Sequence, residues 1–300
     1  MIFSPKARER FQKKPAQAIE EEIKAFTRTS PLNRMPGMEN QVIFDEPLVQ
    51  FADVDDPIFT EYKTIIAPSH LTPREALAKA SGKSTKGLPA RLSIISWILP
   101  ITEKTRLSNR RQTKSPSRLW SYTRWYGEKF NEALRQHMVQ VLTQLGYLAV
   151  APMMQPYFKE FTNEKGKYSN WSERHIAYAA GLGTFSLSDG FITERGIAHR
   201  CGNVVTDLEL PPSPRVAKDP YSNCLFYVDG SCTACITRCP AGAISESGHD
   251  KIKCFEHMQE PELLKEYQVG KLGCGLCQTK VPCEYRNPTK KVSPPTPHHL

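Results

Sequence analysis

CTACITRCPAGAIS, residues 232–245, is the stretch that decides the fold of this chain. It has the rhythm of a bacterial iron–sulfur motif, whose usual form is C-x₂-C-x₂-C-x₃-C-P. Here two residues separate Cys232 from Cys235, three separate Cys235 from Cys239, and a proline follows. The first cysteine of the usual motif would fall at Asp229, so either the cluster is incomplete or its missing ligand comes from elsewhere.

The cysteines are concentrated near the C-terminus. Of nine, only Cys201 lies before residue 224, and the other eight lie between Cys224 and Cys283. A disulfide framework suits a short secreted chain, and the opening residues lack the apolar core of a signal peptide, so metal ligation is the better account. We predict that Cys201, the cysteine left over, is a buried small apolar residue.

The eight clustered cysteines divide into two sets of four. In two-cluster ferredoxins the cysteine before the proline binds the other cluster, which assigns Cys239 to a second cluster. The later motif CGLCQTKVPC, residues 274–283, repeats this logic, since its last cysteine follows a Val-Pro pair. Cys254 and Cys224 are the remaining cysteines that complete the sets. The predicted quartets are Cys224, Cys232, Cys235 and Cys283 in one, and Cys239, Cys254, Cys274 and Cys277 in the other.

Thiolate chemistry leaves two kinds of metal site open. Thiolates are soft ligands that stabilise iron–sulfur cubes, and two residues between cysteines let one loop reach two irons. Pairs of the form C-x₂-C also suit structural zinc. The Cys-Pro crossover and the two closely spaced quartets favour two 4Fe–4S clusters over zinc.

Length, hydropathy and charge limit the possible number of domains, the location of the protein and its partners. Three hundred residues suit one large domain with a small one, and no apolar run reaches the roughly 20 residues that span a bilayer. We therefore expect a soluble, cytoplasmic protein with no membrane partner. The net charge is +9, and residues 103–118 carry six Lys or Arg against one Glu. This basic stretch predicts either a solvated loop or a face for a phosphate-rich partner such as tRNA.

Hydrophobic periodicity and turn residues outline the elements before the cysteines. Residues 1–30 predict an amphipathic helix interrupted near Pro15, and residues 31–68 predict mostly irregular chain. Thr72 is a candidate N-cap for a helix that stops at Gly82. The further predicted elements are a buried strand at 92–99, a helix at 126–147, a strand at 148–152, a helix at 172–180, and strands at 191–193 and 201–208.

The order of these elements predicts the domain organisation. Strand, helix and strand alternate within residues 90–152, which favours an α/β layer architecture. Prolines at 211, 212 and 214 mark a boundary near residue 215. The predicted units are an N-terminal helical extension (1–40), an α/β domain (41–215), a ferredoxin-like module with two clusters (216–286) and a disordered tail (287–300).

The chain resembles a known superfamily. SERHIAYAAGLGTFSLSDGFITERGIAHRCGNVVTDLEL, residues 172–210, followed by the cysteine block, resembles the cobalamin-dependent epoxyqueuosine reductases and the related reductive dehalogenases. DEPLVQFADVDDPIF, residues 45–59, and HLTPREAL, residues 70–77, look like a branch of short reductase-like iron–sulfur proteins. The resemblance covers residues 40–285, which is most of the chain.

The resemblance implies a fold and a cofactor. The implied fold is α+β: a nitroreductase-like α/β domain that holds base-off cobalamin, and a ferredoxin-like module that delivers electrons to cobalt. The AGLG loop would run against the corrin, where glycines permit close backbone approach. The residues implied to bind the cofactor are Arg174, Gly181, Leu182, Gly183, Thr184 and Ser186.

The sequence departs from the family pattern in two places. Epoxyqueuosine reductases carry an aspartate a few residues before the helix arginine, where it is thought to donate a proton. The corresponding position here is Lys167, with Tyr168 beside it. Both side chains can donate protons, so they are the catalytic candidates, and an exposed structural lysine is the alternative. The chain is also expected to lack the C-terminal helical-repeat domain that some epoxyqueuosine reductases use on tRNA.

Three functions fit these observations. The leading hypothesis is a cytoplasmic reductase that takes electrons from a ferredoxin- or flavodoxin-type donor and passes them through two 4Fe–4S clusters. A cobalamin-type cofactor would then reduce a small organic substrate. The alternatives are an electron-transfer protein with no substrate of its own, and a tRNA-modifying reductase that uses the basic stretch at 103–118.

Overall fold

The computed structural model describes residues 5–164, 166–217 and 219–290. A four-stranded antiparallel sheet has helices on both faces, and a smaller cysteine-rich module follows it. The helices are α1 (Pro5–Lys13), α2 (Pro15–Thr29), α3 (Ile58–Ile65), α4 (Pro73–Ser81), α5 (Glu103–Arg110), α6 (Arg118–Gln144), α7 (Glu173–Ala179), α8 (Leu225–Asp229), α9 (Ala234–Arg238), α10 (Lys251–His257) and α11 (Pro261–Tyr267). The strands are β1 (Leu48–Asp53), β2 (Ser93–Pro100), β3 (Ala149–Val150), β4 (Glu160–Asn163), β5 (Gly166–Ser169), β6 (Gly183–Phe185), β7 (Phe191–Thr193), β8 (His199–Thr206), β9 (Ile244–Ser245) and β10 (Gly248–His249).

Strand β2 lies inside the main sheet, whose order is β1-β2-β8-β3. Every residue of β2 is buried, as its apolar, β-branched run predicts. It pairs antiparallel with β1, where Phe51 faces Ile95, and with β8, where Ile95 faces Val204. Residues 31–68 are irregular over more than half of their length, as predicted, but the prediction did not identify β1 and α3. The Asp and Pro residues that suggested irregular chain lie mainly at the ends of these two elements.

The two faces of the sheet bury separate cores, because side chains alternate across each strand. Trp97 lies on one face with Phe130 and Met138 of α6, and all three side chains are fully buried. The indole N–H of Trp97 donates to Asn131 Oδ1 at 2.9 Å. Ile98 lies on the opposite face, in a core shared with α3, α4 and α7. The architecture confirms the mixed α+β class, and the nitroreductase-like and ferredoxin-like assignments remain predictions.

Helix α4 begins and ends where the local sequence predicts. The Oγ1 of Thr72 accepts from the N–H of Glu75, and the Glu75 carboxylate accepts from the N–H of Thr72. This capping box satisfies two N–H groups that the first turn would leave unpaired. Gly82 follows in the left-handed region with φ +66°, which ends the helix.

The N-terminal helices extend the core. The predicted break near Pro15 is confirmed, since α1 ends at Lys13 and α2 begins at Pro15. Ile19 and Ile23 of α2 are fully buried in the core that contains α6. The predicted helical extension is therefore packed onto the sheet domain.

The basic stretch at 103–118 is largely ordered into helices. Its first half forms α5, and Ser117 caps the N-terminus of α6 by accepting from the N–H of Trp120 at 3.2 Å. Helix α6 thus begins at Arg118, eight residues before the predicted start at 126. No helix in the described part of the chain, α6 included, is both long and apolar enough to cross a membrane.

The cysteine-rich module packs directly against the sheet domain. Ile192 and Ile197 of the sheet domain share a small core with Ile244 and Val281 of the module. The N–H of Ile197 donates to the carbonyl of Cys283 at 2.8 Å, which continues this contact in the backbone. The position of the last cysteine is therefore fixed by the sheet domain.

The predicted disordered tail, 287–300, falls mostly outside the described residues, which end at 290. Its first residue is an exception. Asn287 is buried, and its Nδ2 donates to Asn223 Oδ1 at 2.8 Å. Ordered chain therefore continues past the boundary predicted at 286.

Candidate metal centres and active site

The structure places the first predicted quartet around one small cavity. We call these four cysteines quartet I, and all of them line that cavity: Cys224, Cys232, Cys235 and Cys283. Burial raises the pKa of the Cys283 thiol, and its three quartet partners raise it further. Burial likewise raises the pKa of Cys235 to about 11, with Cys224 and Cys232 adding to the effect. The four sulfurs are thus close enough to influence one another's ionisation.

The second quartet lines a separate cavity of about 250 Å³. We call it quartet II, and it consists of Cys239, Cys254, Cys274 and Cys277. Burial raises the pKa of Cys274 to about 11, and Cys254 and Cys239 raise it further. Burial also raises the pKa of Cys277, and Cys274, Cys254, Cys235 and Cys239 raise it in addition. Each predicted quartet thus lines its own cavity, and the assignment of the quartets to two clusters stays a prediction.

Local contacts turn Cys239 away from Cys235, although only three residues separate them. Helix α9 ends at Arg238, whose guanidinium donates to the carbonyls of Thr279 at 3.1 Å and Gln112 at 2.9 Å. The N–H of Ala243 donates to the sulfur of Cys239 at 3.3 Å. These bonds hold the Cys-Pro turn so that its thiol faces the second cavity.

Glycines let the loop of quartet II lie flat on α6. Gly275 has φ +59°, and a Cβ at this position would lie 2.0 Å from Cε2 of Trp120. Gly270 makes a similar approach to Trp125, where a Cβ would lie 2.5 Å from the ring. A side chain at either position would push the loop carrying Cys274 away from α6.

The donor sets fit iron–sulfur clusters. In the described part of the chain, no group of three or more His, Cys, Asp and Glu side chains could hold a metal ion as the side chains stand. Each quartet instead lines a single cavity with all four of its cysteines. A 4Fe–4S cluster needs this arrangement, since each of its four cysteines binds a different iron.

A larger, charged cavity of about 670 Å³ adjoins quartet II. We call it the charged cavity, because cations and carboxylates of α6, α7 and β8 make up much of its wall. The residues that line both it and the quartet II cavity are Arg124, Arg174, Gly190, His199, Arg200 and Gln278. The two cavities therefore adjoin along a shared wall.

Buried ion pairs organise one side of the charged cavity. Arg135 is 1% exposed and contacts Glu128 at 3.0 Å and Glu173 at 2.7 Å. Arg200 lies 3.5 Å from the second oxygen of Glu128. Burial would raise the pKa of Glu128, but Arg200 and Arg135 together hold it below its usual value. This wall thus presents fixed charges rather than mobile ones.

Cys201 packs against the core that contains Ile98, as predicted for a small apolar residue, but it is only partly buried and also lines the charged cavity. Its sulfur lies 3.8 Å from Nδ1 of His199. The Nε2 of His199 is 2.6 Å from the carbonyl of Phe191, so Nε2 carries the proton and Nδ1 is the acceptor. Burial raises the pKa of Cys201 to about 12, which keeps the thiol protonated. The sequence offered no signal for this pair beyond the two-residue spacing.

The candidate proton donors lie in a different cavity. Lys167 and Tyr168 belong to β5, which forms a hairpin with β4 where a polar loop was predicted. Both line a cavity of about 430 Å³, which we call the aromatic cavity after its Tyr and Phe side chains. The ammonium of Lys167 lies 3.7 Å from the ring centroid of Phe255, and the ring of Tyr168 stacks on Phe161. Neither residue lines the charged cavity.

Arg174 stands where the three cavities meet, since it lines the quartet II, charged and aromatic cavities. Its guanidinium donates to the carbonyl of Asp189. His175, the next residue on α7, is mostly buried and has Nδ1 at 2.8 Å from Ser172 Oγ. Burial, helped by Arg174, lowers the pKa of His175 to about 3, so it is neutral at physiological pH.

Backbone packing accounts for the two glycines of the AGLG segment. A Cβ on Gly181 would lie 2.6 Å from the Pro214 carbonyl oxygen, and one on Gly183 would lie 2.3 Å from that of Ile192. Within Gly181–Ser186, Phe185 lines the aromatic cavity, and none of these residues lines the charged cavity. The side chains of Leu182, Thr184 and Ser186 are all buried. Much of the segment is therefore used in internal packing, and its contact with a corrin stays a prediction.

One histidine links quartet II to the turn between β6 and β7. The Nδ1 of His249 lies 3.3 Å from Asp189 Oδ2, and its ring also hydrogen-bonds with Cys254. Lys251 lies 3.5 Å from the same carboxylate oxygen. Burial would lower the pKa of His249, but the bonds to Asp189 and Cys254 raise it to about 9. The sequence motifs did not point to this residue.

The chain has curated relatives of known name. No family model matches it. An epoxyqueuosine reductase from Gloeobacter violaceus is 36% identical over 124 residues, which are 38% of this chain and 36% of that protein. Epoxyqueuosine reductases from Bacillus anthracis and Bacillus cereus are 32% and 31% identical over 119 residues, 37% of this chain and 29% of theirs. The chain is related to the epoxyqueuosine reductases. The matched region spans about a third of the length of these relatives, and it confirms the resemblance seen in the sequence.

Solved structures of epoxyqueuosine reductases and of a reductive dehalogenase are similar to the chain at lower identity. A Bacillus subtilis epoxyqueuosine reductase, with its catalytic loop swung out of the active site, is 17% identical with a TM-score of 0.45. A selenomethionine-labelled epoxyqueuosine reductase is also 17% identical, with a TM-score of 0.48. Each match covers 90% of this chain and 66% of the other. A catabolic reductive dehalogenase is 14% identical with a TM-score of 0.46, covering 95% of this chain and 40% of that one. The relationship to epoxyqueuosine reductases therefore rests on the sequence similarity and not on these structures.

Proposed function

We propose that this protein is an iron–sulfur oxidoreductase. Two 4Fe–4S clusters, one on each quartet, pass electrons to an acceptor bound in the charged cavity. The observation that carries the proposal is the shared wall between the quartet II cavity and the charged cavity. An electron that leaves a cluster on quartet II therefore reaches the acceptor without crossing another layer of protein.

The residues around the quartets are suited to hold clusters rather than to do chemistry themselves. When bound, the clusters supply single electrons. Arg238 and the N–H of Ala243 fix the turn at Cys239, and Gly275 keeps the neighbouring loop against α6. Cys224 is buried and the other seven quartet cysteines are partly buried, so the protein covers much of each quartet.

The charged cavity is suited to a polar organic substrate or cofactor. The charges of Glu128, Glu173 and Arg200, which line the cavity and are held by ion pairs, can orient such a molecule without rearrangement. The aromatic cavity meets it at Arg174, so Lys167 and Tyr168 remain our proton-donor candidates from that side. Epoxyqueuosine, the compound in the name of the curated relatives, is the first substrate to test.

A cobalamin-type cofactor is the acceptor that the resemblance implies. Arg174 and the charged cavity are compatible with such a cofactor, whereas Gly181 and Gly183 pack against protein backbone and Phe185 lines the aromatic cavity. The experiment below therefore measures whether the protein binds a corrin and does not assume it.

The experiment is metal and cofactor analysis of anaerobically purified protein. We expect about eight iron and eight sulfide per chain, four of each for every cluster. Cys224→Ser should lower the iron to about four, and Cys201→Ser, the matched control outside the quartets, should leave it at about eight. Zinc in place of iron, or equal iron in both variants, would contradict the proposal.

The acceptor is tested on the same preparation. Cobalt that co-purifies, or a corrin spectrum that co-elutes after cobalamin is added, would support a cobalamin-dependent reductase. Full clusters with neither corrin uptake nor reduction of epoxyqueuosine would instead favour an electron-transfer protein without its own substrate.

A further inference from the structure

The basic stretch at 103–118 lies against the cluster-bearing module. The Nδ2 of Asn109 donates to the carbonyl of Cys274 at 3.3 Å, and Cys274 belongs to quartet II. Further along, the Nε2 of His257 lies 3.0 Å from the carbonyl of Lys114, and Ser115 Oγ lies 3.1 Å from a Glu260 oxygen. The stretch therefore covers part of the module and separates it from solvent.

Two cations of the stretch are turned inward. Arg106 and Arg110 contact the buried carboxylate of Glu284 at 3.1 Å and 2.7 Å. Their guanidinium carbons also lie 5.3 Å and 5.8 Å from the ring centroid of Tyr285. Glu284 directly follows Cys283 of quartet I, so this side of α5 reaches the first quartet as well.

The other cations of the stretch face outward. The exposed ones are Lys104, Arg111, Lys114 and Arg118. Lys104, Leu107 and Arg111 are spaced at i, i+3 and i+7, which puts them on one side of α5 and its last turn. Leu107 is 39% exposed. The surface formed by Lys104, Leu107, Arg111 and Lys114, here called the α5 face, thus has an exposed apolar side chain bordered by cations.

We infer that the α5 face is the docking site of an acidic electron-donor protein. The inference rests on the proposed function, because it supposes clusters on both quartets. A positive surface steers an acidic partner toward it and speeds their encounter. The exposed Leu107 between the cations favours a protein partner over tRNA, since contacts with a phosphate backbone are made by charges. The inward side of the same stretch contacts Cys274 and the residue after Cys283, so α5 lies between a donor docked on the α5 face and the two quartets.

The electron transfer at this site involves no bond formation. One electron leaves the anionic reduced flavin of a flavodoxin and enters one cluster of this chain. The flavin is oxidised by one electron, the cluster is reduced by one electron, and no proton is exchanged between the proteins. A weak, transient complex is sufficient for such a step.

The test uses the cluster-loaded protein and reduced flavodoxin as the donor. The rate of flavin oxidation is measured by stopped-flow at several ionic strengths. The double variant Lys104→Glu/Arg111→Glu should lower the second-order rate constant at low salt by about tenfold or more, and should flatten its salt dependence. The matched control, Lys79→Glu/Lys83→Glu at the exposed end of α4, changes the net charge equally and should leave the rate unchanged.

Two further measurements separate the possible failures. Dithionite, which needs no docking face, should reduce the clusters of both variants as fast as those of the unchanged protein. Protein without iron would overturn the proposed function and this inference together. Clusters that dithionite reduces normally, with equal flavodoxin rates in all three proteins, would overturn the docking site alone. Loss of tRNA binding in the α5 variant with unchanged flavodoxin rates would assign the face to tRNA instead.

Discussion

The carboxylate of Glu284 fastens the cluster-bearing module to α5, and Glu284→Gln tests this contact. Glu284 is fully buried and accepts charge-assisted hydrogen bonds from Arg106 and Arg110. The N–H of Lys280 donates to the same carboxylate at 2.7 Å. Glutamine keeps the size of the side chain and one acceptor oxygen, but it removes the charge and puts an NH2 donor in place of the other acceptor oxygen.

The exposure of the two arginines sets the expected cost. Removing one partner of a fully buried ion pair costs about 3–5 kcal/mol, whereas an exposed pair contributes about 0–1 kcal/mol. The side chain of Arg106 is 12% exposed and that of Arg110 is 34% exposed, so the two bonds lie near opposite limits. We expect the free energy of unfolding to fall by about 2–4 kcal/mol, which lowers the midpoint of thermal unfolding by roughly 5–15 °C.

The assay is thermal unfolding of anaerobic protein, followed by circular dichroism and by cluster absorbance. Because Glu284 follows Cys283, we also expect a chelator to remove iron faster from the variant than from the unchanged protein. Glu103→Gln is the matched control, since Glu103 is exposed at the start of the same helix. A midpoint that falls no further in Glu284→Gln than in this control would refute the reasoning.

Three other predictions follow from single contacts. Gly275→Ala should release the loop of quartet II, because the new Cβ would collide with Trp120, and iron analysis should then find about four iron per chain instead of about eight. His70 is fully buried, and burial, aided by Lys63, lowers its pKa to about 4, below the unfolded value of about 6.5. Its contribution to stability is therefore present above pH 6.5 and lost as the pH falls toward 4, by up to about 3 kcal/mol, and denaturant titrations of His70→Phe should show a weaker fall. His249→Gln should weaken the hydrogen bond to Cys254 and make the cluster on quartet II harder to reduce, with quartet I unchanged in an EPR-monitored redox titration.

The parts of the fold that depend on local sequence could be predicted. Helix α4 is an example, since Thr72, Glu75 and Gly82 lie within a few residues of one another and determine both of its ends. The buried strand β2 is another, because an apolar, β-branched run has few other stable places in a soluble domain. The division of the cysteines into two quartets could also be inferred from the sequence, although the members of each quartet are far apart along the chain. The Cys-Pro crossover rule carries topological information that ordinary spacing lacks.

Glycines show why the site could be predicted only in part. Gly181 and Gly183 suggested a flat ligand, since a missing side chain permits close approach of any neighbour. The neighbours here are the carbonyl oxygens of Pro214 and Ile192. Gly275 also lacks a side chain and so permits the same close approach, but its neighbour is an aromatic ring, that of Trp120. The sequence shows that a close approach exists but not what approaches, because the partner lies far away in the chain.

Charge has the same ambiguity, and the basic stretch at 103–118 illustrates it. Arg106 and Arg110 are four residues apart and share one side of α5, but their carboxylate, Glu284, lies 174 residues beyond Arg110. Composition alone counts these inward cations together with the outward ones such as Arg111. Once the pair with Glu284 is removed from the count, the remaining exposed cations and the exposed Leu107 define a smaller surface beside the module. That smaller surface fits a protein partner, whereas the undivided charge of the stretch suggested tRNA.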